Sequence, residues 1–537
     1  MSERAKVLRL IAACATLALV AVSCGAAEEA DDSGQEQPET TEEVGGDTPS
    51  EGDTPSEIVY AVAAEFSDLD PQSASHFANI LLFDNVYEPL VQGDGQTTDL
   101  NPALATSWEL IDENTWQFQL REDVVFHNGE EFDAEAAKFS IERMTNPATG
   151  SAYIGYYSKV ESVEVMDDHS LRIHTSAPDP TLPLMLANLV MVPPEHTASA
   201  EDAISTEAFG TGPYEIVSAS EDTIELRYNE SHWRDEGNGP QVTHVTVLSR
   251  PESSSRIAAL SAGEVDIVDE VGVEQVDSVP NTLSAVVRGV VGIRLNAHTG
   301  VFADQDVRRA AMHAVDIDSL RTSLLTDEYS HDPKCQWVPE GLSGYNDELA
   351  GPAYDSERAQ ELIEQAGVAG ERVVLAAPAD RYPKGREFIE AIALQWEAVG
   401  LEVDIQVTDY QRWLEEVLGE DQDGDIVHSV DAIMAGIDSF TGTVLEPFGS
   451  TMREGARLQT FPHAEYPRFQ ELIEEAEVTF DNEERDELLQ QASAVACDAD
   501  QIMYLYVYDT IWGAREGVEW PARQDNRVWF DQIVVSE

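Results

Sequence analysis

Basic residues are scarce in this chain of 537 residues. It carries 31 lysines and arginines against 103 aspartates and glutamates, a formal net charge of −72, and five of its basic residues are lysines. Because nucleic acid is bound through a basic surface, this composition argues against a nucleic-acid partner. We interpret the halophilic-type acidic surface as an adaptation to a salty medium that screens repulsion between carboxylates. The alternative is a solvated acidic surface with no bearing on ligand choice.

The first apolar run of the chain is too short to cross a membrane. It spans residues 10 to 22, which is 13 positions, whereas a membrane helix needs roughly 20. Three basic residues precede it, as in an export signal, and we predict a signal peptide over residues 1 to 23. The run ends in Ala-Val-Ser-Cys, which resembles the lipobox of bacterial lipoproteins, so Cys24 is the predicted lipid anchor. Cleavage by an ordinary signal peptidase is the alternative.

The segment after this cysteine has little apolar character. Residues 24 to 57 are rich in Glu, Asp, Gly, Ser, Thr and Pro, and the hexapeptide Gly-Asp-Thr-Pro-Ser-Glu occurs at 46 to 51 and again at 52 to 57. Such a composition cannot bury a core and repels itself. We therefore predict a disordered acidic linker that holds the folded body away from the membrane.

Cysteine is rare, with four residues in the whole chain. Cys14 is removed with the predicted signal and Cys24 takes the lipid, which leaves Cys335 and Cys497. An exported protein folds in an oxidising compartment, and no Cys-x-x-Cys or nearby histidine pattern accompanies the pair. We predict a disulfide rather than a metal site, with two unpaired buried thiols as the alternative.

Motifs of catalysis are missing from the sequence. It contains no Gly-x-Ser-x-Gly elbow, no His-Glu-x-x-His and no P-loop, and its 12 histidines show no metal-ligand spacing. We therefore expect a protein that is not an enzyme and that uses no catalytic residue, cofactor or metal. A secreted hydrolase is the rival class.

The body of the chain alternates strand and helix patterns. Residues 116 to 120 and 223 to 228 alternate apolar and polar side chains, as half-buried strands do. A helix is expected to start at Asp355 and to stop at Gly367, and a second helix is expected to end at Gly400 before another strand. This pattern is typical of α/β lobes, whose ligands lie in crevices beyond the strand ends.

An ordered series of motifs runs through the body. The motifs are LFDNVYEPLV at 82 to 91, LNPALATSWE at 100 to 109, TWQFQLR at 115 to 121, VFHNG at 125 to 129, SIER at 140 to 143, GTGPY at 210 to 214, ALSAGEVD at 259 to 266 and DVRRA at 306 to 310. In this order they resemble the solute-binding protein family 5 of ABC transporters, which includes receptors for dipeptides, oligopeptides and nickel chelates. The resemblance covers about residues 58 to 537.

The resemblance implies a type II periplasmic-binding-protein fold of the cluster C kind, with two hinged α/β lobes and an extra domain. Lobe I would be discontinuous, since the chain would cross between the lobes at least twice. The expected boundaries are 58 to 98, 205 to 290 and 505 to 537 for lobe I, 99 to 204 for the extra domain and 291 to 504 for lobe II.

The resemblance also implies a function and a location. The expected function is capture of a short peptide outside the cytoplasm, by a monomeric lipoprotein held at the cell membrane by its lipid alone, for delivery to ABC permease subunits. Other branches of the family bind nickel chelates, haem or oligosaccharides. Those ligands, and a sensory receptor without a permease, stay open.

A peptide receptor needs an enclosed acid for the ligand ammonium. In peptide-binding relatives that acid follows a strand in a segment resembling residues 431 to 438, so we nominate Asp438. The alternative for Asp438 is a solvated turn or helix cap. Candidates for the rest of the cleft, each with a structural alternative in core packing or surface pairing, are Tyr87, Trp413, Phe440, Arg453 and Arg457.

Overall fold

The computed structural model describes residues 56 to 536, except 64, 67, 73–76, 152, 201–202, 236–238, 380, 411, 414–429 and 454–460. The predicted signal peptide, Cys24, almost all of the predicted linker and Arg457 lie outside the described residues. The first strand begins at Ser56, so the last two residues predicted as linker belong to the folded body. Within the described part of the chain, no helix has both the length and the apolar character to cross a membrane.

Within the described ranges, twenty strands form the sheets of the body. They are β1 Ser56–Val62, β2 Val91–Gly93, β3 Leu100–Pro102, β4 Ala105–Asp112, β5 Thr115–Leu120, β6 Val160–Asp167, β7 Ser170–Thr175, β8 Tyr214–Ala219, β9 Thr223–Tyr228, β10 Val242–Ser249, β11 Ile267–Val268, β12 Asn281–Val286, β13 Gly289–Leu295, β14 Ser330–His331, β15 Arg372–Pro378, β16 Glu402–Thr408, β17 Ala432–Asp438, β18 Ile502–Ala514, β19 Val518–Glu519 and β20 Val534–Val535.

Helices cover the faces of these sheets. The α-helices are α1 Phe77–Val86, α2 Ala134–Met144, α3 Leu182–Leu186, α4 Pro194–Thr197, α5 Ala203–Thr206, α6 Ser253–Ala262, α7 Gln305–His313, α8 Ile317–Leu324, α9 Ser356–Ala366, α10 Gly385–Ala398, α11 Leu445–Thr451, α12 Pro467–Ala476 and α13 Asn482–Asp498. Short 3₁₀ helices lie at Pro147–Thr149, Ile154–Tyr157, Val273–Ser278, Val301–Ala303 and Phe530–Gln532.

Local sequence explains where the helices of the second half begin and end. The carboxylate of Asp355 accepts a hydrogen bond from the backbone N–H of Arg358 and caps α9, and Gly367 ends that helix in the left-handed conformation. Helix α10 is followed by Gly400, at φ +110°, and then by β16. The predicted helix, glycine and strand unit is therefore present twice.

One continuous sheet connects the two halves of the body. Its order is β16-β15-β17-β13-β18-β11-β1-β10-β9-β8, and β12 and β14 also pair with β18. We call the part built on β1, β8–β12 and the second half of β18 lobe I, and the part built on β13, β15–β17 and the first half of β18 lobe II. The chain passes between the lobes from β12 to β13 and again along β18, because β18 pairs with both strands.

Separate apolar cores stabilise these parts. One core, around Tyr60 and Trp512, belongs to lobe I, and another, around Phe388 and Trp396, fills lobe II. A third core, around Phe118, lies under the four-stranded sheet β4-β5-β7-β6, which we call the extra domain. The fold is the predicted α/β, two-lobed type with an additional domain, while the residue boundaries drawn from the sequence stay predictions.

A disulfide joins two distant parts of lobe II. Cys335 and Cys497 are bonded, their Cα atoms lie 5.6 Å apart and 162 positions separate them in the chain. Cys335 belongs to a further apolar core, built largely on α11, α12 and α13, and the partly buried Cys497 packs against it. The bond closes a long loop in the unfolded chain and lowers its conformational entropy, which stabilises the folded state relative to the unfolded one.

Removal of this bond should destabilise lobe II. We expect the double variant Cys335→Ser/Cys497→Ser to lose about 4 kcal/mol of unfolding free energy, since a loop of this length is near the upper end of the loop-entropy effect. Urea unfolding followed by tryptophan fluorescence measures it. Reducing agent should shift the wild-type midpoint and leave that of the double variant unchanged, and equal wild-type midpoints with and without reductant would contradict the expectation.

Candidate functional site

A cavity of about 660 Å³ lies where the two lobes and the extra domain meet. Lobe I contributes the end of β1 and the loop at 269–274, and lobe II contributes the end of β17 and the segment 381–384. The second crossing strand, β18, lines it with Tyr508 to Trp512. The cavity therefore lies beyond strand ends, at the place where α/β sheets bind ligands.

Asp438 is the last residue of β17 and faces the cavity. It lies opposite Gly289 of β13, and a Cβ atom at position 289 would lie 1.8 Å from the Oδ1 atom of Asp438. The glycine therefore makes room for this carboxylate. The side chain retains exposed surface because it opens into the cavity, but the surrounding walls desolvate it. This desolvation raises the pKa of Asp438, and the nearby guanidinium of Arg381 partly opposes the rise.

Arg381 shares this end of the cavity with aromatic rings. Its guanidinium carbon lies 5.2 Å from the ring centre of Tyr410 and 5.9 Å from that of Tyr382. Tyr382 in turn donates a hydrogen bond of 3.5 Å to the carbonyl oxygen of Gly436 on β17. A cation with aromatic neighbours suits the binding of a planar anionic group such as a carboxylate.

Phe440 joins lobe II to the extra domain across the cavity. Its ring lies 5.4 Å from that of Tyr153 and 6.4 Å from that of Tyr156, in edge-to-face arrangements. All three rings line the cavity. They form an aromatic wall that offers apolar contact to a ligand at low conformational cost.

Glu446 stabilises the loop that carries Phe440. Its Oε2 atom accepts hydrogen bonds from the Oγ of Ser439, at 2.8 Å, and from the backbone N–H of Thr441, at 2.9 Å. Burial raises the pKa of Glu446, while these hydrogen bonds act in the opposite direction. The carboxyl group thus holds the loop after Asp438 in place.

A second charged group of residues lies at the lobe I end of the cavity. The guanidinium of Arg527 lies 3.4 Å from Oδ1 of Asp84 and 3.8 Å from Oδ2 of Asp525, and it donates a hydrogen bond of 2.7 Å to Oδ1 of Asn188. Arg288, also in the wall, donates from Nη2 to the carbonyl oxygen of Thr97 at 3.2 Å. Burial raises the pKa of Asp84 to about 6, although Arg527 opposes the rise.

Three nominated residues lie outside the cavity lining, in the surroundings that the alternatives of core packing and surface pairing describe. Tyr87 is buried in the lobe I core, with its ring 5.9 Å from that of Phe83. Trp413 stacks on Tyr410 at 5.6 Å within a small apolar cluster, and Arg453 donates to Glu477 at 2.7 Å. Tyr87 and Trp413 thus pack in apolar clusters and Arg453 forms an ion pair, and none of the three lines the cavity.

Several lining residues were not predicted from the sequence. Arg288, Arg381 and Tyr508 belong to none of the motifs, and Asp84 lies inside the motif at 82 to 91 without any signal that marks it as a cavity residue. The scarcity of basic residues was the available signal, because it made every arginine near a strand end worth considering. As for metals, no cluster of three or more His, Cys, Asp or Glu side chains suited to an ion occurs among the residues that the structure describes.

The buried Asp84 carboxyl should make stability depend on pH. Its pKa is raised from 3.8 to about 6, so its contribution to stability is present below pH 3.8 and is lost as the pH rises through 6. The variant Asp84→Asn cannot ionise, and relative to wild type it should gain about 3 kcal/mol at pH 8 and about half of that at pH 5. Urea unfolding at the two pH values measures the difference.

The control variant is Asp123→Asn, which removes an exposed carboxylate outside the cavity. It should give the same difference from wild type at both pH values. A pH-independent difference for Asp84→Asn would contradict the expected shift.

The comparisons with known proteins agree with this architecture. The family model of bacterial extracellular solute-binding proteins, family 5, matches residues 99–450. The dipeptide-binding protein of Escherichia coli is 25% identical over 451 residues, which covers 77% of this chain and 82% of that protein. Heme-binding protein A of Haemophilus influenzae is 26% identical over 462 residues, which covers 76% of this chain and 79% of its own.

Solved structures have the same fold. The periplasmic binding protein DppA of Helicobacter pylori, in complex with the peptide STSA, has a TM-score of 0.74 at 22% identity and covers 90% of this chain and 98% of its own. HbpA2 of Haemophilus parasuis has a TM-score of 0.77 at 19% identity and covers 90% of this chain and 100% of its own. With the family model matching well over half of the chain, the protein belongs to the bacterial extracellular solute-binding proteins of family 5.

Proposed function

We propose that this protein is the extracytoplasmic binding component of an ABC importer and that it captures a short peptide in the cavity between its lobes. The observation that carries the proposal is the carboxylate of Asp438, which opens into an enclosed cavity at the end of a sheet strand. An enclosed acid binds a peptide ammonium by a charge-assisted hydrogen bond. The named relatives that bind peptides support the same choice.

The edge of β17 suits the backbone of a peptide. One side of β17 pairs with β13 along its whole length, whereas the other side pairs with β15 only at Ala432 and Ile433. Beyond Ile433, this second edge has no strand partner among the described residues, and Gly436 lines the cavity. An extended peptide could add to this edge and gain hydrogen bonds that do not depend on its side chains.

The other cavity groups would complete the site. Arg381 or Arg288 would bind the ligand carboxylate, and the wall of Tyr153, Tyr156 and Phe440 would contact apolar side chains. With eight carboxyl groups and four basic side chains in its lining, the cavity can bind both ends of a zwitterion. We propose no catalytic role for any of these residues.

Contacts across the cavity support a mechanism of lobe closure. Nζ of Lys384, in lobe II, lies 3.0 Å from Oε2 of Glu274, in lobe I, and Phe440 contacts the extra domain. These contacts exist only when the lobes are together, so a bound ligand that also touches both sides would shift the population towards the closed form. Opening of the lobes would then release the unmodified ligand to the permease.

Replacement of the acid tests the assignment. The variant Asp438→Asn keeps the shape of the side chain but loses its charge, and we expect it to bind free-amine peptides at least about 30-fold more weakly than wild type. Isothermal titration with peptides identified by native mass spectrometry of the purified protein measures the affinity. The control Asp123→Asn should bind as wild type does.

Four results would each contradict the proposal or one part of it. If native mass spectrometry finds a haem, a sugar or a metal chelate in place of peptide, the ligand is not a peptide. If Asp438→Asn binds peptides as tightly as wild type, Asp438 does not bind the ligand ammonium. Steady turnover of peptides or glycosides would favour a hydrolase instead, and a gene neighbourhood without permease genes would favour a sensory receptor.

We propose further that Cys24 is lipidated and holds the protein at the outer face of the cell membrane. The small residues before it and the short apolar run support this. In the native host, wild type should sediment with membranes and carry a diacylglyceryl mass on Cys24, and Cys24→Ser should lose the added mass. A mature chain with an unmodified Cys24 would contradict the anchor.

A further inference from the structure

A small second cavity adjoins the main one where the two lobes and the extra domain meet. Its volume is about 20 Å³, which is enough for about one water-sized polar group. Four of the residues that line both cavities come from different parts of the fold: Asn188 from the extra domain, Arg288 from the crossing between the lobes, Thr441 from lobe II and Arg527 from lobe I. We call this small cavity the side pocket.

An arginine that borders the side pocket has a hydrogen-bond donor without a partner. Arg288 is 7% exposed, and its Nη2 atom donates to the carbonyl oxygen of Thr97 at 3.2 Å. Its Nε–H is buried as well but has no acceptor among the described residues. A buried donor without an acceptor is costly, so a ligand oxygen supplied at this position would be bound favourably.

Two oxygen atoms of the loop at 439–446 share this property. The Oγ atom of Thr441 and the Oε1 atom of Glu446 are buried and make no hydrogen bond within the part of the chain that the structure describes. Both residues line the main cavity, at 4% and 8% exposure. Burial raises the pKa of Glu446, and the side chain of Thr441 is among the groups that oppose the rise, so the two side chains are neighbours.

Arg288 packs against the same loop. Its carbonyl oxygen accepts a hydrogen bond from the N–H of Ser439 at 3.0 Å, and its Nη1 atom lies 3.6 Å from the position that a Cβ atom would occupy at Gly442. Gly442 adjoins Thr441, whose backbone N–H donates to Oε2 of Glu446 at 2.9 Å. A guanidinium donor, a hydroxyl group and a carboxylate acceptor therefore surround one short loop in the cavity wall.

The charges around Arg288 are balanced. Burial lowers the pKa of Arg288, Asp525 and Glu446 act to raise it, and Arg527 and Arg523 act to lower it further. Two acids and two further guanidinium groups thus lie within electrostatic range of this one. An additional anion or cation would be an uncompensated buried charge, so the side pocket favours a neutral polar group.

The pattern of donors and acceptors fits a primary carboxamide. The oxygen of that group can accept from the Nε–H of Arg288 and from the hydroxyl of Thr441, and its NH₂ can donate to Oε1 of Glu446. A carboxylate would instead bring a like charge towards Glu446. An apolar group would leave all three protein atoms without partners, which a polar site rejects strongly.

We propose that the side pocket is a specificity subsite for a primary carboxamide of the ligand, the side chain of a glutamine or asparagine residue, and that Arg288 and Thr441 bind its oxygen. The inference rests on the proposed function, because it takes the main cavity as the peptide site. It assigns Arg288 to a neutral group and leaves the ligand carboxylate to Arg381.

The test offers the full-length folded protein an equimolar pool of tripeptides built from alanine, glutamine, glutamate and methionine. Native mass spectrometry and sequencing of the retained peptides give the enrichment of glutamine over glutamate and methionine, which have nearly the same shape. Wild type should retain glutamine peptides at least about tenfold over the matched glutamate and methionine peptides, the effect of one or two buried hydrogen bonds.

The variant Thr441→Val removes the hydroxyl and keeps the shape of the side chain. Because this hydroxyl makes no hydrogen bond in the structure, the variant should melt no lower than wild type, yet its enrichment of glutamine should fall about fivefold. The control Thr408→Val also removes a buried, unpaired hydroxyl, but on β16 and outside the cavity lining, and should keep the enrichment of wild type. Arg288→Lys keeps the charge, loses the Nε–H and should lower the enrichment as Thr441→Val does.

The possible outcomes separate the subsite from the proposed function. Equal retention of the three kinds of peptide by wild type, preferential retention of glutamate peptides, or unchanged enrichment in Thr441→Val and Arg288→Lys would overturn the carboxamide subsite and leave peptide capture intact. Retention of no peptide from the pool, with a ligand of another class bound to the protein from its host, would overturn the proposed function and this inference with it.

Discussion

The pairing of β18 with strands of both lobes determines where the cavity of this protein lies. Residues 502–506 of β18 pair with β13 in lobe II, and residues 509–514 pair with β12 in lobe I, so one strand carries hydrogen bonds across the junction. The connection from β12 to β13 also crosses from lobe I to lobe II. These crossings bring the end of β17 opposite the end of β1 and leave a cavity between them. Asp438, Tyr508 and Glu270 line the same cavity because of this topology, although the sequence separates them widely.

The parts of the fold that depend on local chemistry were predictable from the sequence. The side-chain cap at Asp355 and the glycine stop at Gly367 define α9, and the alternating residues 223–228 form β9. These features follow from hydrogen bonds and packing within a few residues, so no long-range information is required. The ordered motifs likewise identified the family, since a series of motifs in one order is far more specific than any single motif. The resemblance of residues 431 to 438 to a segment of peptide-binding relatives is what singles out Asp438, and the position of Phe440 close after it makes that ring a candidate; both line the cavity.

The remaining residues of the cavity lining could not be predicted, because the sequence does not show whether a side chain beside the cavity points into it or into the apolar core. Tyr87 follows a helix that turns its ring into the lobe I core, and Trp413 packs on a neighbouring ring instead of on the ligand space. Arg288 and Glu270 belong to connections between strands, where backbone direction depends on the crossing topology. Glu270 in particular has a left-handed backbone conformation that its residue type does not favour, so sequence propensity points away from it.

The extreme acidity of the chain has different consequences at the surface and in the cavity. Exposed carboxylates repel one another, but salt screens that repulsion over a short Debye length and water solvates each charge. Carboxylates in the cavity wall lose much of that solvation, as the raised pKa of Asp438 indicates. A surface rich in acidic residues, of which the whole chain has 103, would attract any cation weakly and without selection. Selection among ligands requires groups that are held by the backbone and partly deprived of water, as the carboxylate of Asp438 is in the cavity between the lobes.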